Sequence, residues 1–434
     1  MLINLRLKEF KNFQNASFRL GRLTLLVGTN ASGKSNIRDA FRFIHGISRG
    51  YNLAEIIGEK WIEGGVLQWR GIRGGTREVA FQGKSEFELS VMFAINNKKG
   101  ETLVVDYQIK VEVSKSSMAP RVSREHLYLI NRENLLTKAT FEVDEAIFDS
   151  DPYENPPIQD DPEHLKVRVL KKGRGRNPTI SFLSQRPILS QVIEHRDIQA
   201  SIQETARLAI DALSSMRFLD LSPEAMRMPS LPGQTILGDR GENLSSVLQA
   251  ICEEPERKQT LIQWIQELTP MDAKDFEFPS DFTGRILLTL IEENGQKTSA
   301  YSASDGTLRF LAMMAALLAP EPARFYFIEE LENGIHPTRL HLLLELIERQ
   351  VAARNIQIVA TTHSPQLLGL LSKESLKYAS LIYRLEGSSD ARIKRILNIP
   401  DAKRVIEEQN LVRLHASGWL EDAVEFMDSE ETSE

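Results

Sequence analysis

The sequence predicts an α/β fold, a mixed sheet that carries an antiparallel β subdomain and a helical insertion. Three observations predict it. Leu23-Thr24-Leu25-Leu26-Val27 is a continuous apolar run such as a strand buried on both faces requires, and it leads through a glycine-rich turn into a helical stretch, Ile37 to Ile44. Arg324-Phe325-Tyr326-Phe327-Ile328 and Ile356-Gln357-Ile358-Val359-Ala360 are further buried-strand runs, separated by a helix from about Thr338 to Arg354. From Glu78 to about Ile130 the period is two instead: Phe87-Glu88-Leu89-Ser90-Val91 and Tyr107 to Val113 alternate like antiparallel strands with one wet face. Strands alternating with helices at both ends imply an α/β core into which the rest is inserted.

The remaining elements follow in order. Ile3 to Leu7 and Ala16 to Leu20 alternate and read as short strands ahead of the buried one. Residues 142–165 hold nine acids and four prolines, too polar and broken for regular structure, and read as a surface linker. Lys166, Arg168, Lys171, Lys172, Arg174 and Arg176 then supply six bases with no acid among them. Apolar spacing turns helical from about Pro187 to Met216 and again from Asn243 to Leu268, a strand pattern returns from Arg285 to Ile291, and a helix runs from Leu308 to Leu318. No stretch sustains the three or four heptads of a coiled coil. The expected organisation is an N-terminal lobe over 1–140, a linker, basic segment and helical insertion over 141–280, and a C-terminal lobe with an acidic tail over 281–434.

Composition excludes several classes. With 41% hydrophobic and 26% charged residues the chain can build a sizeable core, so fibrous and wholly disordered readings fail. Cys252 is the only cysteine, which rules out an intramolecular disulfide or a multi-cysteine metal centre and suits a reducing compartment. Nowhere do about 18 apolar residues run together, and the N-terminus alternates instead of showing a signal peptide's apolar block, so a cytoplasmic chain without a membrane anchor is expected. The net charge of -7 is concentrated: seven acids and no base occupy the last fourteen residues, which leaves residues 1–420 formally neutral and compatible with an anionic ligand.

Four short segments carry chemistry. Gly28-Thr29-Asn30-Ala31-Ser32-Gly33-Lys34-Ser35 matches the phosphate-binding pattern GxxxxGK[ST] between a buried strand and a helix. Its glycines let backbone N–H groups wrap phosphates, Lys34 can reach the β and γ phosphates of ATP, and the Ser35 hydroxyl can ligate Mg²⁺. The strand Phe325 to Ile328 ends in Glu329-Glu330, where Glu329 would hold Mg²⁺ through water and Glu330 would orient or deprotonate an attacking water. A solvated acidic turn explains the same residues, since Glu332 adds a third charge. Ser302-Ala303-Ser304-Asp305-Gly306-Thr307 precedes a long helix, either as a second anion-binding surface or as an ordinary N-cap. Thr361-Thr362-His363-Ser364 ends a buried strand with a histidine that could touch a γ phosphate or serve structure alone.

In this order the four segments resemble ATP-binding-cassette (ABC) ATPases of the RecF, RecN and SMC-like branch, and its compact AAA-type ATPases, OLD-like but without the Toprim nuclease. The resemblance is carried by Leu7-Lys8-Glu9-Phe10-Lys11-Asn12-Phe13, by Asn30 and Asn36 around the phosphate loop, by Ser304 to Thr307, by Glu329-Glu330-Leu331-Glu332-Asn333-Gly334-Ile335-His336-Pro337, and by Thr361 to Pro365. It implies a P-loop NTPase of ABC head type with a helical insertion in place of a long coiled coil. Gly28, Asn30, Ala31, Ser32, Gly33, Lys34, Ser35 and Asn36 would then bind nucleotide. Ser304, Asp305 and Gly306 would be signature residues that close on ATP held by a second subunit, Asn333 would lie in the D-loop, and His363 would be the switch histidine. Three departures stand out: Glu329 replaces the usual aspartate, Asp305 and Thr307 replace a glycine and a glutamine of the signature, and the Q-loop glutamine is either Gln68 or Gln82, each of which also reads as an exposed strand glutamine.

The resemblance implies a homodimeric ATP-hydrolysing clamp that works beside a separate effector, a nuclease or a toxin, in phage defence or DNA repair. Lys34 to Ser304 is too short a span for long tethering coils, and the 71 residues after His363 contain no Asp-x-Asp metal motif for a nuclease. An ABC transporter energy subunit and a small-molecule P-loop kinase are the contrasting readings. The bases at 166–176 have the charge for nucleic-acid phosphates, DNA or RNA, and equally suit a solvated loop.

Overall fold

The computed structural model describes residues 1–113, 119–130, 143–150, 163–268, 273–385, 387–399 and 402–407; the acidic tail and the four prolines of 152–162 lie outside them. The described chain forms two compact units. One gathers residues 1–20, 29–215 and 381–394, the other 21–28, 216–380 and the residues from 395.

Two strands, β1 (Leu2–Phe10) and β2 (Phe13–Arg19), open the chain, and β3 (Leu23–Val27) follows. Then come α1 (Lys34–Ser48), α2 (Leu53–Ile57), a hairpin of β4 (Glu59–Ile62) and β5 (Val66–Arg70), and the short α3 (Gly75–Glu78). The strands β6 (Glu86–Asn96), β7 (Thr102–Glu112), β8 (Arg121–Ile130), β9 (Val143–Asp149), β10 (His164–Val169) and β11 (Thr179–Leu183) precede α4 (Ile188–Val192) and α5 (Ala200–Ser214).

In the first unit eight of these strands make one antiparallel sheet, ordered β11-β10-β9-β8-β7-β6-β1-β2. Alternation sets its faces: β10 buries Leu165, Val167 and Val169 and exposes Lys166 and Arg168 between them. Helix α1 buries Ile37, Phe41, Phe43, Ile44 and Ile47, and its rings interlock with the sheet, Phe43 lying 5.4 Å from Phe87 and Phe87 5.5 Å from Phe10. Burying each such ring contributes about 1.5–3 kcal/mol, so this aromatic layer anchors the helix that begins at Lys34.

The second unit runs through β12 (Met216–Leu219), α6 (Pro223–Met226), α7 (Leu244–Cys252), α8 (Pro255–Leu268), β13 (Ala273–Glu277), β14 (Thr289–Glu292) and β15 (Lys297–Ser299). It continues with α9 (Asp305–Leu318), β16 (Phe325–Ile328), α10 (Leu340–Arg354) and β17 (Gln357–Thr362). Four strands lie parallel in the order β12-β16-β17-β3. Every residue of β3, β16 and β17 is buried, as parallel strands covered on both faces must be. The polar start of β17 is satisfied by the Gln357 amide, which donates to the Gly21 carbonyl at 2.8 Å. Ile328 pairs with Ala360 and Val27 with Thr362, so the three strands release the chain along one edge of the sheet. Among the described residues no helix is long and apolar enough to cross a membrane.

The α/β architecture follows the sequence reading, and four local differences have physical causes. The expected linker contains two strands: β9 buries Ile147 and Phe148, but bulges against β8 disrupt its alternation, and β10 begins at His164. Met216 opens β12 instead of ending a helix. The helical stretch from Asn243 is two helices, α8 restarting at Pro255, a residue that fits a first helical turn and not an interior. The strand expected from Arg285 is confined to β14, and Ile286 bridges Ser230 and Ser280 instead.

One buried carboxyl makes the first unit sensitive to pH. Glu125 on β8 accepts from the Ile188 N–H at 2.7 Å, the Leu189 N–H at 2.8 Å and the Tyr107 hydroxyl at 3.0 Å, closing the start of α4 onto the sheet. Burial pushes its carboxyl up to about 7, against the pull of these donors. Because the folded protein then holds this proton more tightly than the unfolded chain, the stabilisation is present below about pH 4.5 and is lost as pH rises towards 7. The unfolding free energy of the wild type relative to Glu125→Gln is therefore expected to fall between pH 4.5 and 7 in a denaturant titration series; a constant difference would contradict the raised value.

Candidate functional site

The chain leaves β3 at Gly28 and turns through residues 29–33 into α1. Two left-handed residues make the turn, Ala31 (φ 61°) and Gly33 (φ 121°), the latter standing directly before the helix. The Lys34 ammonium folds back to donate to the Thr29 carbonyl at 2.7 Å. Ser32 is buried, and its hydroxyl has no hydrogen-bond partner among the described residues. A buried unsatisfied hydroxyl, a lysine whose ammonium turns back onto the loop and a helix start that offers N–H groups form a cradle fitted to a polyphosphate.

The loop also has a brace that motif reading missed. Asn12, in the turn between β1 and β2, donates from Nδ2 to the Ser32 carbonyl at 3.3 Å and accepts at Oδ1 from Asn36 Nδ2 at 2.6 Å. The amide thus joins the loop to the first turn of α1. A Cβ on Gly33 would stand 2.7 Å from Asn12 Nδ2, so this position needs glycine for space as well as for its φ. Asn12 itself is pinned by the Ala391 N–H, which donates to its carbonyl at 2.7 Å, and by Lys11, whose Nζ donates to the Arg73 carbonyl. Burial lowers the Lys11 pKa, with the Asp39 carboxylate at 3.9 Å opposing that shift.

In the second unit the chain leaves β16 at Glu329, which is half-buried, and Glu330 turns left-handed (φ 51°) into solvent. The Glu330 N–H donates to Thr361 Oγ1 at 3.1 Å and the Leu331 N–H to the Thr361 carbonyl at 3.0 Å, so β17 holds the turn. The Glu330 carboxylate, 49% exposed, has His363 Nε2 at 3.5 Å and accepts from Asn333 Nδ2 at 3.2 Å. Glu332 accepts from the His363 N–H at 2.9 Å. Glu330, Asn333 and His363 are therefore brought together at the C-terminal edge of the parallel strands, with a carboxylate open to water and flanked by donors, an arrangement able to orient and deprotonate a water molecule.

Ser304 caps α9. Its Oγ accepts from the Thr307 N–H at 3.1 Å, and the helix starts at Asp305, three residues earlier than its apolar pattern predicts. Gly306 meets the turn after Glu330 backbone to backbone: a Cβ on it would lie 2.3 Å from the Gly334 carbonyl oxygen. The two segments singled out separately in the sequence are thus in contact.

A family model described as AAA domain, putative AbiEii toxin, Type IV TA system matches residues 23–369. The chain belongs to this family. This AAA-family protein is a P-loop ATPase. It is similar to a Helicobacter pylori (strain ATCC 700392 / 26695) protein named ATP/GTP phosphatase, 20% identical over 381 residues that span 86% of this chain and 88% of the relative. Similar solved structures include an SmcHead bound to the C-winged helix domain of ScpA, at 13% identity and a TM-score of 0.48, covering 91% of this chain and 97% of that one. An SMC head domain from Thermotoga maritima is 12% identical with a TM-score of 0.38, covering 91% of this chain and 98% of that one. An Smc head with an extended coiled coil, bound to the C-terminal domain of ScpA derived from Pyrococcus furiosus, is 13% identical with a TM-score of 0.43, covering 94% of this chain and 98% of that one.

The basic segment of the AAA-family protein lies apart from these motifs in sequence. Lys166 and Arg168 share the exposed face of β10, and Lys171, Lys172, Arg174 and Arg176 are exposed in the loop to β11. That loop is pinned at its base, where the Gln199 amide pairs with the Lys172 N–H and carbonyl at 2.8 and 3.1 Å. Of the two glutamine candidates, Gln68 is exposed on β5, while Gln82 sits in a turn with φ 47° and donates to Ser389, so it is not a strand residue.

Gly33→Ala tests the loop geometry. The left-handed backbone costs an alanine about 1–2 kcal/mol and its Cβ displaces the Asn12 amide, so nucleotide affinity is expected to fall about tenfold or more, measured by titration of a fluorescent ATP analogue. Wild-type affinity in this variant would show that the brace is not required.

Proposed function

We propose that this ATPase is a Mg²⁺-dependent clamp in which two copies close head to tail on ATP and act on nucleic acid through a separate effector, a nuclease or toxin, in phage defence or DNA repair. The observation that carries the hydrolytic half is the Glu330 carboxylate, exposed yet held between His363 and Asn333. In this reading the residues from Gly28 to Asn36 bind the phosphates, and Lys34 supplies charge to the β and γ groups. Ser35 and Glu329 are the residues that would hold Mg²⁺, which would neutralise phosphate charge. Glu330 accepts the proton of the attacking water, and His363 orients the γ phosphate. Supporting the closed dimer, Ser304 is exposed at the start of the fourteen-residue α9, where N–H groups and the helix dipole favour an anion brought by another copy. Cys252, whose thiol burial pushes up to about 12, reads as a structural residue suited to the cytoplasm.

Lys34→Ala is expected to lose nucleotide binding, whereas Glu330→Gln binds and turns over about a hundredfold to ten-thousandfold more slowly, as loss of a general base implies. Unchanged phosphate release by Glu330→Gln would move the base elsewhere. Ser304→Arg should bind ATP without turning it over, and mixing it with Lys34→Ala protein under exchange conditions should restore activity at one composite site; no recovery would remove the shared-site reading.

The six exposed bases of 166–176 support a nucleic-acid backbone as the polymer. Binding should weaken steeply with salt, with a log-log slope near roughly -0.9 per duplex phosphate neutralised. Changing Lys171, Lys172, Arg174 and Arg176 to Ala should make that slope shallower while ATP turnover persists. An unaltered slope in filter binding would return the segment to a solvated loop.

A further inference from the structure

Arg227 follows the single turn of α6, which Ser222 caps, and reaches across to the start of α9. Its Nη2 donates to two acceptors, the Ala303 carbonyl at 3.0 Å and Asp305 Oδ1 at 2.7 Å. These are the residues immediately before and after Ser304. Ser304 is thereby fixed from three directions: its own cap to Thr307, the guanidinium across its flanks, and the backbone contact of Gly306 with Gly334.

The pair is poorly placed to serve stability. The Arg227 side chain is 26% and the Asp305 side chain 65% exposed, and ion pairs at such exposure add little to folding. Its electrostatic effect is more direct. Asp305 puts a carboxylate at the helix start beside Ser304, where it would repel an approaching polyphosphate; the guanidinium 2.7 Å away cancels that charge and orients the turn with the same nitrogen.

We propose that Arg227 is a positioning residue of the Ser304 turn: it holds Ser304 in the pose that meets the nucleotide of a second copy and masks Asp305 from that nucleotide's phosphates. The proposal rests on the shared-site reading of Ser304. Arg227 touches no nucleotide of its own in this scheme, so its loss acts on turnover and not on nucleotide capture by the phosphate loop.

The test compares phosphate release and binding of a fluorescent ATP analogue in four variants. Arg227→Ala is expected to lower kcat about tenfold, the scale of one charge-assisted hydrogen bond, with analogue affinity and thermal midpoint as in the wild type. Arg227→Ala/Asp305→Asn, which removes the unmasked charge, should recover part of that loss, a result that a merely structural role would not produce. Arg227→Lys, which keeps the charge with a less exacting geometry and serves if the alanine variant folds poorly, should fall between the two. Wild-type kcat in Arg227→Ala, no recovery in the double variant, or a loss explained by weaker analogue binding would overturn the proposal. Ser304→Arg, measured alongside, separates the two levels: if it turns over normally the shared-site reading itself fails, and if it is inactive while Arg227→Ala is normal only the role of Arg227 fails.

Discussion

The parallel pairing of β3, β16 and β17 is the constraint on which the rest of the site depends. A strand covered on both faces cannot carry unsatisfied polar side chains, so the groups able to handle phosphate or water are displaced to the points where the chain leaves the sheet. The register then aligns those points, since Val27 pairs with Thr362 and Ile328 with Ala360. Gly28, Glu329 and His363 each follow within two residues of these pairs. Besides Gln357 at its start, two polar residues enter β17 and are satisfied locally: Thr361 accepts from the Glu330 N–H, and Thr362 Oγ1 accepts from the Ser364 N–H at 2.9 Å. They serve to fix the carboxylate turn and the histidine turn to each other.

How much of this was legible follows from how local each signal is. β3, β16, β17 and α1 were readable because burial on both faces forces an uninterrupted apolar run, and a helix on a sheet forces a 3.6 period. β9 was hidden because bulges break the period that exposes a strand, and because acids crowd the buried Ile147 and Phe148. β12 has four residues and includes Arg217, too little for a pattern. The Asn12 brace and the Gly306–Gly334 contact join segments 20 or more residues apart, which neither spacing nor composition encodes. Ser304 as a cap was legible; that Arg227 reaches it was not, because an arginine after a one-turn helix carries no periodic signature.

Within the second unit the Ser304 turn and Glu330 belong to one connected structure. Gly306 abuts Gly334, the neighbouring Asn333 holds the Glu330 carboxylate, and Glu330 faces His363. The Gly306–Gly334 approach is backbone to backbone, so it has no side-chain rotamers with which to absorb a displacement. A shift at the start of α9 must move the Asn333 turn or open the contact. That gives coupling between the two segments a physical route, a stiff contact followed by two polar ones, in place of mere proximity.

The strained backbone positions point the same way. Non-glycine residues with left-handed φ are uncommon and persist where their surroundings over-determine them. Of the six among the described residues, Lys11, Ala31 and Glu330 lie in the brace, the phosphate loop and the carboxylate turn. Each is held by bonds that a relaxed backbone would lose: Lys11 by the Arg73 carbonyl, the loop at Ala31 by Lys34 on Thr29 and Asn12 on Ser32, and Glu330 by Thr361. At Glu330 the consequence is most direct. A strand continuing straight from Ile328 would alternate Glu329 and Glu330 to opposite faces of the sheet; the left-handed turn instead brings Glu330 back over the edge towards His363 while Glu329 stays half-buried. Two adjacent carboxylates are thereby given different surroundings, one partly dry and one wet, and unlike surroundings let neighbouring acids differ in their chemistry.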